Sequence, residues 1–184
     1  IDLIKPSPEQ IDTIFSQPVK LIATCRPDGY DNSQRLDILK TSIRAGAVFV
    51  DIEIESEAGF KNDLIRVAKE NQCQVILSYH NFERTPDIKT LRIIVDDCFR
   101  AGADIAKIAC QVNSNSDAAK ILALYEIEKP IIAIGMGELG KITRVAAPYL
   151  GAPFTFVSKS DKKLTAPGQL NKETMEKISQ LIDK

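Results

Sequence analysis

Short apolar runs recur along this chain at a nearly constant interval, and the interval leaves few folds open. The runs Val19–Thr24, Ala47–Ile52, Gln74–Ser78, Asp104–Ala109, Ile131–Ile134 and Phe154–Val157 start 28, 27, 30, 27 and 23 residues apart. Several are apolar at nearly every position, as strands are when both faces are covered. The spacing is the pitch of a βα unit. The gaps carry helical periodicity. Leu36, Leu39 and Ile43 share one face, with Gly46 as a stop. Leu91, Ile94, Val95 and Cys98 share another, with Thr85 expected as N-cap, Pro86 at the first helical position and Gly102 near the end. Ser116 is expected to cap a helix carrying Ile121, Leu122 and Tyr125. The last helix should start at Asn171 and bury Met175, Ile178 and Ile182 on a single face.

Strand and helix in strict alternation leave an open doubly wound sheet or a closed (β/α)8 barrel. No GxGxxG follows the first strand, and the glycines of 135–140 lack that fingerprint's context. Arg26, Glu53, His80, Lys107 and Met136 all fall at or near the C-terminal ends of strands, the face where a barrel gathers its active site. The expected fold is therefore α/β, a (β/α)8 TIM-type barrel forming a single domain over residues 1–184. Six strands are two short of closure. Residues Ile1–Lys5 begin without Met and lead into a helix-like stretch, so the first one or two strands of the barrel are expected to be absent and the domain incomplete at its N-terminus.

Charge narrows the partners. Lys plus Arg is 24 against 25 for Asp plus Glu, which gives no electrostatic reason to expect nucleic acid or an anionic membrane. No apolar run approaches the roughly 20 residues of a membrane helix. Cys25, Cys73, Cys98 and Cys110 are scattered, without a CxxC pair or a nearby His for zinc, and read as buried reduced thiols of a cytoplasmic protein.

Lys107 sits inside the apolar run Ala-Asp-Ile-Ala-Lys-Ile-Ala at 103–109. Burying an ammonium is costly. One reading pairs it with a carboxylate such as Asp104 or Glu53. The other makes it a nucleophile whose dry, cation-flanked site favours the free amine that attacks a ketone. His80 is the sole histidine and ends the preceding strand, one βα unit and 27 residues before the lysine. It reads either as a hydrogen-bonded structural residue or as a group that takes and returns protons near neutral pH.

At these residues the chain resembles a known family. Ser-Tyr-His-Asn-Phe-Glu-Arg-Thr-Pro (78–86) resembles the catalytic-histidine motif of type I 3-dehydroquinate dehydratases, and the 103–109 run resembles their Schiff-base lysine strand. Gly-Met-Gly (135–137) with Lys-Ile-Thr-Arg (141–144) resembles the motif whose arginine holds the substrate carboxylate. Thr-Ala-Pro-Gly-Gln (165–169) resembles the loop that closes over the substrate; Thr-Cys-Arg-Pro (24–27) and Asp-Ile-Glu (51–53) also fit. Six motifs in order span essentially the whole chain.

The resemblance implies a lyase of the shikimate pathway that dehydrates 3-dehydroquinate to 3-dehydroshikimate. Lys107 forms an imine with the ketone. His80 removes the neighbouring proton and protonates the departing hydroxyl. Arg144 clamps the carboxylate by a bidentate contact. Arg26, Glu53, Thr165 and Gln169 bind polar groups of the substrate, and Met136 packs against its ring. The resemblance implies no metal and no organic cofactor, and it suggests a homodimer. Two departures stand out. The family carries an acidic residue and paired glycines after the arginine of its third strand. Here the stretch is Arg-Pro-Asp-Gly-Tyr-Asp-Asn (26–32), leaving Asp28, Asp31 and Glu53 as candidates to orient His80. The family's second strand also supplies a Glu and an Arg, and this chain begins after that point. Two rivals remain, another class I aldolase-type Schiff-base barrel and a catalytically inactive remnant. The His80 motif and the 165–169 loop argue against the first, while the missing strands favour the second.

Overall fold

A computed structural model describes residues 6–27, 29–160 and 165–183. Five strands form one sheet in chain order: β1 (Ile22–Thr24), β2 (Phe49–Glu53), β3 (Gln74–Asn81), β4 (Ile105–Gln111) and β5 (Ile131–Met136). Every described register is parallel. Helices α1 (Pro8–Phe15), α2 (Asn32–Arg44), α3 (Ala58–Glu70), α4 (Ile88–Arg100), α5 (Asn115–Leu122), α6 (Lys141–Ala146) and α7 (Lys172–Ile182) alternate with them. Parallel strands joined through helices are the architecture of the (β/α)8 barrel class.

The chain divides into two compact units. The first takes the described residues up to Ser78 with Cys98–Ile105. Its helix α1 starts on a capping box: Ser7 Oγ accepts from the Gln10 amide, Gln10 Oε1 accepts from the Ser7 amide, and Pro8 follows the cap. Ile11 and Phe15 are buried where α1 meets α2. The run expected as Val19–Thr24 forms a strand only from Ile22, because the Val19 amide is spent on Gln17 O (2.7 Å) in the turn after α1. Val19 itself is exposed. Gly46 ends α2 as expected, at φ 109°, where a Cβ would lie 3.1 Å from Phe15 O. Leu39, Ile43, Val50, Ile52, Leu64, Ile76 and Leu77 fill the core, each burial stabilising by about 1.5–3 kcal/mol. At the head of β4, Asp104 ties down β3: its amide donates to Val75 O (2.9 Å) and its Oδ2 accepts from Val75 N (2.7 Å).

The second unit takes Tyr79–Asp97 and the described residues from Ala106 onward. Here β4 and β5 run in register from Ala106↔Ile131 to Gln111↔Met136, buried along nearly their whole length. Five expectations are corrected. Thr85 does not cap α4. Asp87 does, its Oδ1 accepting from Thr90 N (3.0 Å) and its carbonyl from Leu91 N. A carboxylate one residue before the helix reaches the open amides that Thr85 is too far back to reach. Ser114, not Ser116, caps α5, accepting from Asp117 N (3.2 Å). That helix stops at Leu122, and Tyr125 lies in a 3-10 turn where its hydroxyl accepts from Ala133 N (3.0 Å). The run Phe154–Val157 has strand composition but no regular ladder. The backbone pairing described there is a single parallel bridge, Ser158↔Asn171, and composition cannot make a strand without a neighbour to pair with. Finally, α7 does start after Asn171, whose Oδ1 accepts from Thr174 N (2.7 Å). Met175 is buried, Ile178 half-buried and Ile182 52% exposed, so the expected apolar face is covered less and less toward the helix end.

Candidate active site

Lys107 stands in the middle of β4, paired in register with Ile132, and is 8% exposed. Its Nζ lies 4.9 Å from the centroid of the Phe156 ring, a cation–π distance. The two carboxylates weighed as its structural partners have other engagements: Asp104 Oδ2 takes the Val75 amide, and Glu53 takes Arg26 and Arg35. His80 lies near the end of β3, half-buried, its ring stacked on Phe82 with centroids 6.1 Å apart and planes at 16°. Beyond it, Asn81 Oδ1 accepts from the Glu83 and Arg84 amides (3.1 and 3.0 Å), which turns the chain sharply.

Met136 ends β5, buried, and its carbonyl accepts from Val112 N. The chain then folds back through two close glycine contacts. Thr143 Oγ1 accepts from Gly135 N and donates to Gly140 O, both at 2.7 Å, and a Cβ on Gly140 would fall 2.5 Å from Gly135 O. This bracket sets α6 and with it Arg144, which is 2% exposed. Arg144 Nη2 donates to Pro167 O (3.2 Å), while its Nε is buried with no partner among the described residues. Burial pushes the guanidinium down to about 10, still protonated at neutral pH. The 165–169 loop lies on the same wall. Gln169 Oε1 accepts from both the amide and the hydroxyl of Thr165 (2.9 and 3.1 Å), and Pro167 O accepts from Gly137 N (3.2 Å). Gly168, at φ 72°, allows the approach: a Cβ there would sit 2.2 Å from Gly137 O. Lys107, His80, Met136, Arg144, Thr165 and Gln169 thus all belong to the second unit.

Arg26 and Glu53 belong to the first unit. Glu53 accepts from Arg26 Nη1 (3.0 Å) and from Arg35 Nη2 (2.7 Å). Arg35 is 5% exposed, donates from Nε to Cys25 O (3.0 Å) and lies over the Phe60 ring. Of the carboxylates considered for orienting His80, Asp31 caps α2 by accepting from Gln34 N (2.9 Å), Glu53 holds the two arginines, and Asp28 lies outside the described residues.

Sequence reasoning missed three residues. Arg35 was not singled out. Thr85 was assigned to a cap. Phe156 was read only as part of a strand run. Among the described residues no group of three or more His, Cys, Asp or Glu side chains comes together to hold a metal ion, and no helix is long and apolar enough to cross a membrane. Cys110, at the Asn81 amide, is pushed up to about 12 by burial, so its thiol stays protonated.

A buried amine against an aromatic face, an imidazole on the preceding strand and a buried guanidinium short of a partner suit a small carbonyl compound that also carries an anionic group. Known proteins are similar to this chain in sequence and in fold. The sequence profile of the family described as type I 3-dehydroquinase matches residues 2–184. The 3-dehydroquinate dehydratase of Methanocaldococcus jannaschii is 38% identical over 193 residues, covering 100% of this chain and 85% of that protein. The crystal structure of the 3-dehydroquinate dehydratase from Aquifex aeolicus superimposes with a TM-score of 0.80 at 32% identity, over 94% of this chain and 78% of that one. The enzyme of the same name from Geobacillus kaustophilus shares the fold, with a TM-score of 0.87 at 24% identity over 96% of this chain and 75% of that one. With a family match across nearly its whole length, this chain belongs to the type I 3-dehydroquinase family.

Proposed function

We propose that the protein dehydrates 3-dehydroquinate to 3-dehydroshikimate through an imine on Lys107. The family and the dehydratases it resembles support dehydration as the reaction. The observation that carries the substrate assignment is Arg144: a guanidinium 2% exposed, with Nε unpartnered among the described residues, calls for an anion. A planar carboxylate meets it in bidentate geometry. Lys107 attacks the ketone and expels one water to give the iminium. His80 removes the proton on the adjacent carbon, and the electron pair moves into the iminium to form an enamine. The enamine then expels the β-hydroxyl, which leaves as water with a proton from His80. Hydrolysis of the conjugated iminium returns Lys107 and the product, so the net change is loss of one water.

Met136 and Phe156 supply apolar walls that keep the amine dry. Thr165 and Gln169 close over the substrate and bind its hydroxyls. For Arg26 and Glu53 we keep the role the resemblance implies, contact with the substrate's polar groups; the Glu53 carboxylate holds the Arg26 guanidinium ready for it. We place the reaction in the cytoplasm, where four buried thiols stay reduced, and take the active species as a homodimer. The test is turnover. Adding 3-dehydroquinate should give the conjugated enone of 3-dehydroshikimate, read by its ultraviolet absorbance, and a protein that folds but forms none overturns the assignment.

A further inference from the structure

We propose that Thr85 is a positioning residue, which with Asn113 staples the turn after His80 to the end of the Lys107 strand and so sets the imidazole for proton transfer. The proposal rests on the roles given above to His80 and Lys107. Thr85 is 7% exposed and plays no part in capping α4. Its Oγ1 instead donates to the carbonyl of Gln111 at 2.7 Å. Gln111 is the last residue of β4, four positions beyond Lys107, and Thr85 is five beyond His80. Asn113, just past β4, makes a second bond to the same turn, Nδ2 to Glu83 O at 2.8 Å. Between them Asn81 Oδ1 holds the Glu83 and Arg84 amides, so the segment 81–85 is fastened both within itself and to β4.

The physical need is plain. His80 lies one residue from the end of its strand, where the regular ladder gives way to the turn. Its ring is backed by Phe82, which is 69% exposed and is carried on the turn itself. A base must come within hydrogen-bond reach of the proton it moves. Displacement by about 1 Å costs on the order of 10²-fold in rate. A staple from the His80 turn to the strand of the nucleophile fixes that separation with bonds that never touch the substrate.

The test uses Thr85→Val, which keeps the shape and removes the donor, and Thr85→Ser, which keeps the donor. In Thr85→Val, kcat should fall by about 10–100-fold while KM for 3-dehydroquinate changes by less than about threefold. Borohydride should still trap substrate on Lys107, because imine formation needs the amine in place more than the imidazole. Thr85→Ser should restore kcat to within about threefold of the parent. Asn113→Ala, at an exposed position, should lower kcat by about 3–10-fold, and the double variant should fall by less than the product of the two, since both bonds hold one turn. The proposal is overturned if both single variants keep kcat within about twofold. It is also overturned if turnover, trapping and Tm fall together with no rescue by serine. Should Thr85→Val fail to fold, Asn113→Ala decides alone. A parent protein without turnover or trapping overturns the assigned roles of His80 and Lys107 themselves, an outcome distinct from an active parent indifferent to Thr85.

Discussion

Replacing Arg144 with methionine separates a guanidinium kept for an anion from one that merely braces the chain. Burial pushes this group well below the usual guanidinium range, to about 10. Holding the charge without an anion therefore costs roughly 3 kcal/mol. The folded protein releases this proton more readily than the unfolded chain does. The cost is therefore present in full below about pH 10 and lifts only as the pH climbs above it toward the ordinary guanidinium range. Methionine removes the charge and keeps most of the stem, at the loss of the bond to Pro167 O, a charge-assisted bond of about 1.5–3 kcal/mol. The balance leaves the unliganded variant between unchanged and about 1.5 kcal/mol more stable, which raises Tm by up to about 6 °C in a chain of this size. The assay is thermal unfolding at pH 7 with and without 3-dehydroshikimate. The parent should gain stability from the ligand, as any protein does from a molecule that binds only its folded state, and Arg144→Met should gain none. A variant destabilised by more than about 2 kcal/mol without ligand would show a structural brace, and equal ligand stabilisation of both proteins would remove the carboxylate from Arg144.

Three further outcomes follow from the same geometry. His80→Ala should lower kcat by about 10²–10⁴-fold, the usual size of a general acid–base contribution, and normal turnover would make the imidazole structural. Gly168→Ala places a Cβ 2.2 Å from Gly137 O at φ 72°, so the 165–169 loop must shift, and kcat/KM should fall by about 10²-fold while the circular dichroism spectrum is unchanged. Asp117 is held below the usual carboxylate range by its bond to Lys120, against the opposing effect of burial and with help from Ser114 and the Asn113 amide. Asp117→Asn should therefore cost up to about 1 kcal/mol at pH 7, and the difference should vanish as the pH falls through and below the normal range near 3.8; a deficit that persists there would show a cause other than charge.

The strand positions were legible because buried parallel strands must be apolar on both faces, and runs such as Ile131–Ile134 have no other easy home. Their C-terminal ends were less so. Asn81, Gln111 and Met136 extend β3, β4 and β5 beyond the apolar runs because a strand continues while its neighbour supplies hydrogen bonds, whatever its side chains. The site's charged residues could be marked from their places at strand ends. Their partners could not, since Arg35 meets Glu53 across 18 residues and Thr85 meets Gln111 across 26, separations that local pattern does not encode. Caps were misplaced for a related reason: Thr85 before Pro86 is a sound local signal, yet Asp87 offered the nearer acceptor and the buried hydroxyl found a better one.

The imine on Lys107 is the centre of the account, and trapping it is the direct measurement. The protein is incubated with 3-dehydroquinate, reduced with borohydride, digested and mapped by mass spectrometry. A single reduced adduct is expected on the peptide containing Lys107, absent without substrate and absent in a folded Lys107→Ala variant that no longer turns over. An adduct on another lysine, or undiminished turnover in Lys107→Ala, would rule out the imine on Lys107.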